Sequence, residues 1–107
     1  MVQTYNKLIR DKVPQIIEDS GHLASLRVLT ENEFDQALQD KLREEVAEFI
    51  ESKEVEELAD ILEVVYCLAD RVGHTPESIE HLRSKKAAQK GGFLERIFLI
   101  ETEEEAF

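Results

Sequence analysis

The chain has 107 residues, of which 42% are hydrophobic and 35% charged, so we expect one globular domain over residues 1–107. The sequence has no apolar run long enough to span a membrane, and its start lacks the apolar centre of a signal peptide. The single cysteine excludes a disulfide framework. These features predict a cytoplasmic protein, and the net charge of −11 argues against nonspecific binding to nucleic acid.

The charge is distributed unevenly along the chain. Residues 31–63 hold 13 acidic and three basic residues, a net charge of −10. Residues 5–12 and 83–90 together hold seven of the 13 Lys and Arg and a single acidic residue. An acidic centre flanked by two basic segments suits a divalent metal ion together with a polyphosphate.

The first predicted element is a helix over residues 5–19 that is interrupted at Pro14. Residues 23–29 alternate imperfectly between apolar and polar side chains and are predicted to form a strand. Residues 93–100 are also β-prone and are able to pair with them. Because a lone two-stranded ribbon is only marginally stable, such a ribbon is expected to pack on the helices.

Three longer helices are predicted between these two β-prone segments. Thr30 and Glu33 match a capping box that begins an acidic helix, which continues to a break near Ser52. Ser52 is predicted to cap the next helix, which ends at Gly73. The Thr-Pro pair at 75–76 begins the last helix. The sequence therefore predicts a mainly α protein, a helical bundle to which a small β-ribbon of residues 23–29 and 93–100 can be added.

Four acidic residues of the second and third helices are candidate metal ligands. Residues three apart are neighbours on a helix, so Glu45 pairs with Glu48 and Glu57 pairs with Asp60. Helical periodicity places Glu45 and Glu57 within apolar stripes, which no Lys or Arg is expected to share. If the helices pack antiparallel, four carboxylates converge, and Mg²⁺, or Mn²⁺ as a substitute, would make that arrangement tolerable. Acidic residues number 24 of 107, so a solvated acidic face is the alternative.

The absence of several catalytic motifs limits the types of reaction that this sequence can support. The sequence lacks a P-loop, an H-E-x-x-H motif and a serine in a nucleophile elbow, which leaves metal-assisted hydrolysis as the chemistry these residues can support. The basic residues Lys7, Arg10, Lys86 and Lys90 are either contacts to a phosphate or ordinary solvated cations.

The acidic pattern, Glu44-Glu45-x-x-Glu48 followed by Glu57-x-x-Asp60, resembles the E-E-x-x-E…E-x-x-D signature of the all-α NTP pyrophosphohydrolases, the MazG-like superfamily. The opening segment Y-N-K-L-I-R-D-K-V-P and the closing segment K-G-G-F-L-E-R-I-F-L resemble its small phosphoribosyl-ATP pyrophosphohydrolase-like branch. The resemblance covers nearly the whole chain.

The resemblance implies an enzyme that hydrolyses a nucleoside triphosphate to the monophosphate and pyrophosphate, working as a homodimer or a dimer of dimers. It implies that Glu45, Glu48, Glu57 and Asp60 hold Mg²⁺, and that Glu44 is a further ligand or the base that orients the attacking water. Glu44 and Glu45 would then be the catalytic pair.

The resemblance also favours phosphate contacts for the four basic residues named above. The sequence departs from the family pattern at one point. Only eight residues separate Glu48 from Glu57, fewer than in many relatives, so the turn between the helices must be tight. The identity of the substrate therefore cannot be inferred from the relatives. The alternative function is a non-catalytic helical module that binds a nucleotide or a protein and keeps the metal for stability.

Overall fold

The computed structural model describes residues 1–105. Within that range it contains four helices and no strand: α1 Val13–Asp19, α2 Glu31–Ser52, α3 Val55–Arg71 and α4 Pro76–Lys90. The prediction of a mainly α protein is therefore confirmed. None of these helices combines the length and the apolar character needed to cross a membrane.

The helices α2 and α3 pack against each other as an antiparallel hairpin, and α4 packs on α3. The turn is as tight as predicted, because only Lys53 and Glu54 separate the two helices. Lys53 takes a left-handed conformation with a φ of 58°, which reverses the chain direction. Ser52 does not cap α3 as predicted. It is the last residue of α2, and Glu54 holds the N-cap position of α3.

Arg71, at the end of α3, fixes the open end of this hairpin. Its Nε donates to Asp35 Oδ1 of α2 at 2.6 Å, and its guanidinium lies 5.6 Å from the centre of the Phe34 ring. The contact couples the last turn of one helix to the first turns of the other, which keeps their facing sides in register. Three apolar residues are buried among the described residues: Leu38, Val64 and Ala69.

The start of α2 is the capping box that the sequence predicts. Thr30 Oγ1 accepts a hydrogen bond from the Glu33 backbone N–H at 3.2 Å, and the Glu33 carboxylate accepts one from the Thr30 N–H at 3.0 Å. Arg27 donates to both oxygens of that carboxylate, at 2.9 and 3.1 Å. The hydrogen bond from Arg27, followed by that from the Thr30 backbone, lowers the pKa of Glu33 to about 2.

This lowered pKa predicts a specific dependence of stability on pH. Glu33 stabilises the fold above its ordinary pKa of 4.5, and this contribution is lost as the pH falls from there towards about 2. Glu33→Gln should remove that part of the pH dependence, and Thr30→Ala should lower the free energy of unfolding by about 1 kcal/mol at neutral pH. Urea denaturation over this pH range measures both effects. Glu63→Gln, an exposed change in the middle of α3, should leave the profile of the wild type intact.

Two predictions about the chain outside these helices are wrong. Residues 23–29 and 93–100 form no β-ribbon: neither segment is a strand, and their backbones make no hydrogen bonds with each other. Residues 5–12 are not helical either. The helix α1 begins only at Val13, with Pro14 in its first turn, where a missing N–H costs nothing.

Candidate metal centre

Glu45 is the centre of the acidic cluster. It lies on the side of α2 that faces α3, and only 7% of its surface is exposed. Glu57 and Asp60 face it from the first two turns of α3. One carboxylate oxygen from each of these three residues lies within 4.8 Å of the other two, so the predicted juxtaposition across the two helices is present.

A second group of carboxylates shares Glu45. One oxygen each from Glu44, Glu45 and Glu48, all on α2, again lie within 4.8 Å of one another. The four predicted ligands therefore do not converge on one point. They form two groups joined at Glu45, which is buried, whereas Glu48 is exposed.

Two oxygens of this cluster have no hydrogen-bond partner within residues 1–105. They are Glu45 Oε2 and Glu57 Oε2, and both are buried. A buried polar group without a partner costs about 1–3 kcal/mol, and more if it is charged. Closely spaced carboxylate oxygens are the ligands that Mg²⁺ prefers, so the residues present fit that ion.

The environment of Glu45 opposes its ionisation in the absence of metal. Burial raises the pKa of the Glu45 carboxyl above its ordinary value, and repulsion from Glu48 adds to this effect. The hydrogen bond and charge of Lys41 partly offset it. A divalent cation in contact with Glu45 would remove the penalty, because it favours the charged form.

The expectation that no basic residue shares these stripes is wrong. Lys41 Nζ lies 3.5 Å from Glu44 Oε2 and 3.3 Å from Glu45 Oε1. Helical periodicity could have found it, since Lys41 is one turn before Glu45 and only about 40° from it around the helix axis. One of the cations that compensate the cluster therefore comes from α2 itself.

The other compensating cations come from the N-terminal segment. Lys7 Nζ lies 3.5 Å from Glu44 Oε1, and Arg10 Nη2 donates to Asp60 Oδ1 at 2.6 Å. Both side chains were predicted to bind substrate, and both lie at the edge of the acidic cluster. Their contacts tie an otherwise irregular segment to the two helices.

Lys86 and Lys90, which were also predicted to contact the substrate, do not lie at the acidic cluster as Lys7 and Arg10 do. Both are exposed on α4, and neither forms an ion pair with a carboxylate in the part of the chain that the structure describes. Since α4 contacts α3 but not α2, these lysines are not brought to the Glu44 side of the cluster within one copy of the chain.

Comparison with known proteins adds little to this picture. An uncharacterized protein of Mycolicibacterium smegmatis is 45% identical over 42 residues, which is 39% of this chain and 43% of that protein. The chain thus spans less than half the length of this relative. No family model matches the chain, and no solved structure gives a significant match.

Proposed function

We propose that this protein is a Mg²⁺-dependent nucleoside triphosphate pyrophosphohydrolase of the MazG-like type, with the helical bundle of the all-α NTP pyrophosphohydrolases. In this proposal it converts a nucleoside triphosphate, or a related nucleotide, to the monophosphate and pyrophosphate. Its role would be to remove noncanonical nucleotides in the cytoplasm.

The observation that carries the proposal is the buried carboxylate of Glu45 within two acidic groups. An ordinary solvated acidic face would leave its oxygens in water, whereas Glu45 Oε2 and Glu57 Oε2 are buried and without partners. Structural ion pairs would satisfy both oxygens, and here they do not. A site of this kind is typical of a functional centre that is completed by a ligand.

The residues around Glu45 suit the hydrolysis of a phosphoanhydride. Bound Mg²⁺ would offset the negative charge of the phosphate oxygens. Glu44 is held at the edge of the cluster by Lys7 and Lys41, and in this proposal it would accept a proton from the attacking water. Lys7 and Arg10 supply positive charge next to the acids, where a triphosphate would be held. Lys86 and Lys90 would contribute the same charge from a second copy in a homodimer or a dimer of dimers.

The test is the identity of the products from a panel of nucleotides. Canonical and modified nucleoside triphosphates and phosphoribosyl-ATP are incubated with and without Mg²⁺, and the products are identified by phosphorus NMR. We expect pyrophosphate and the monophosphate from at least one of them, only when Mg²⁺ is present. Water labelled with ¹⁸O then shows, from the product that carries the label, which phosphorus is attacked.

Two results would count against the proposal. Orthophosphate as the first product would mean a different phosphohydrolase. Metal binding without turnover of any nucleotide would favour the non-catalytic module with a structural metal. Glu45→Gln is the control for a contaminating activity, since a contaminant would survive this substitution.

A further inference from the structure

Lys41 differs from every other lysine of residues 1–105, because it is the one that is not exposed. Only 18% of its side chain is accessible, and its Nζ lies 3.5 Å from Glu44 Oε2 and 3.3 Å from Glu45 Oε1. A lysine is seldom buried without a partner, and here the partners are three and four residues further along the same helix. Lys41 is therefore a fixed part of the acidic cluster and not a surface cation.

The two carboxylate groups that share Glu45 differ in the cations they already hold. We call them the α2 group, which is Glu44, Glu45 and Glu48, and the cross-helix group, which is Glu45, Glu57 and Asp60. Two ammonium groups contact the α2 group, since Lys7 and Lys41 both pair with Glu44 and Lys41 also pairs with Glu45. Its third member, Glu48, is exposed to water. The α2 group is thus compensated without a metal ion.

The cross-helix group is not compensated in this way. Glu45 Oε2 and Glu57 Oε2, the two buried oxygens without a hydrogen-bond partner within residues 1–105, both belong to its members. Glu45 therefore divides its oxygens between two environments: Oε1 faces Lys41, and Oε2 has no partner. The cation on Asp60 is Arg10, whose side chain is 57% exposed. The need for a further cation lies in the cross-helix group.

The charge of the whole cluster leads to the same conclusion. When all are ionised, the five carboxylates carry −5 and the cations of Lys7, Arg10 and Lys41 carry +3, which leaves −2. One divalent cation brings this cluster to neutrality, whereas two would leave it with +2. Uncompensated charge is costly in a site that is partly shielded from water, so the cluster is matched to one ion.

The three cations also differ in how easily they can leave. Lys7 and Arg10 have 46% and 57% of their side chains accessible and belong to an irregular segment, so they can turn towards a phosphate. Lys41 is anchored on α2 itself and is largely buried. A metal ion in the α2 group would have to share the space of this ammonium at close range, where like charges repel strongly.

We propose that Lys41 takes the place of a second metal ion in the α2 group, so that the nucleotide-free protein binds a single divalent cation in the cross-helix group. The ligands of this ion are Glu45, Glu57 and Asp60, and Glu48 stays outside its coordination sphere. The inference rests on the metal site of the proposed function and goes further. It fixes the number of ions, removes one of the four ligands that the family resemblance implies and gives Lys41 a role.

Titration of the nucleotide-free protein with Mn²⁺, followed by electron paramagnetic resonance, counts the bound ions. We expect one Mn²⁺ per chain in the wild type. Lys41→Met keeps the stem of the side chain without its charge, and it should bind a second Mn²⁺ at least about tenfold more tightly than the wild type does. Two ions that share Glu45 should also give the spectrum of a spin-coupled pair.

Two variants control for a general effect of charge or folding. Lys41→Arg restores the cation and should bind one Mn²⁺ again. Arg43→Met removes an exposed cation of the same helix, whose partner Asp40 belongs to neither carboxylate group, and it should also bind one. Circular dichroism shows whether each variant retains the helices.

A second measurement leaves Lys41 in place and therefore decides the question if Lys41→Met does not fold. Glu57→Gln removes a ligand and should weaken Mn²⁺ binding at least about tenfold. Glu48→Gln removes a carboxylate that lies outside the coordination sphere, and it should weaken binding at most about threefold, through the loss of a nearby exposed charge. Equal losses of affinity in the two variants would overturn the inference.

The remaining outcomes separate this inference from the proposed function. A wild type that binds two Mn²⁺ per chain, or a folded Lys41→Met protein that still binds only one, would overturn the role of Lys41 and leave the proposed hydrolysis untouched. A wild type that binds no Mn²⁺ would overturn the metal site itself, and with it both proposals. None of these measurements depends on turnover of a nucleotide.

Discussion

Glu45→Gln should slow the proposed hydrolysis by about two orders of magnitude or more and, in metal-free buffer, make the protein more stable than the wild type. The carboxylate is buried with one unpartnered oxygen, and its charge lies beside those of Glu44 and Glu48. Gln keeps the shape of the side chain, removes that charge and leaves the other acids with less repulsion. A functional site often carries a stability cost of this kind.

The same substitution should remove the stabilisation by Mg²⁺. A ligand that binds only the folded protein stabilises it by about 2.7 kcal/mol when its concentration is a hundred times its Kd. The wild type should show a rise in melting temperature of this origin, and Glu45→Gln should show almost none. We expect its turnover to fall by about two orders of magnitude or more, as on loss of a group that stabilises the transition state.

The pH dependence of the stability difference gives an independent check. Because the folded-state pKa of Glu45 is raised above 4.5, ionisation opposes folding, and the stability associated with this group is lost as the pH rises through the folded pKa. The advantage of Glu45→Gln in metal-free buffer should therefore be small near pH 4.5 and grow to a plateau towards neutral pH. The measurement is the difference in free energy of unfolding between the two proteins across this range.

Glu56→Gln is the matched control, since it removes one exposed acid of α3 that belongs to neither carboxylate group. It should leave turnover and the Mg²⁺ response close to those of the wild type. A Glu45→Gln protein that is less stable in metal-free buffer, yet still responds fully to Mg²⁺, would show that Glu45 is an ordinary structural carboxylate.

The helices could be predicted because their signals are local. The capping box of Thr30 and Glu33 lies within a single turn, and Pro14 acts on its immediate neighbours. The β-prone pattern of residues 93–100 indicates a segment that needs an apolar surface, but it does not specify which one. The prediction that this segment pairs with another strand of the same chain was therefore wrong, and its large apolar side chains are exposed instead.

Helical spacing was sufficient to predict which acidic residues come together, but not their detailed arrangement. Spacing and an antiparallel turn bring Glu57 and Asp60 to Glu45, as observed. The division into two groups depends on side-chain rotamers and on the rotation of α2 against α3, which spacing does not determine. The contact of Arg10 with Asp60 joins residues 50 apart in sequence, and no local pattern encodes such a contact.

The contact between Arg10 and Asp60 predicts that a substitution of Arg10 changes both metal binding and nucleotide binding. In the metal-free protein Arg10 holds Asp60 at 2.6 Å and so competes with a metal ion for one of its proposed ligands. The pair is partly exposed, with 57% of the Arg10 side chain and 38% of the Asp60 side chain accessible, so the contact is weak. Exposed ion pairs contribute about 0.2–1 kcal/mol, which corresponds to a change in affinity of up to about fivefold.

Arg10→Ala should therefore bind Mg²⁺ up to about fivefold more tightly when no nucleotide is present, as measured by calorimetry. Its KM for the nucleotide should nevertheless rise at least tenfold, because a guanidinium released from Asp60 can bind phosphate oxygens with two parallel hydrogen bonds. Lys12→Ala removes a nearby exposed cation that makes no ion pair within residues 1–105, and it should change neither quantity. If Arg10 only held Asp60 in position, its loss would weaken Mg²⁺ binding and leave KM unchanged. The opposite signs of the two expected changes thus separate a phosphate-binding arginine from a purely structural one.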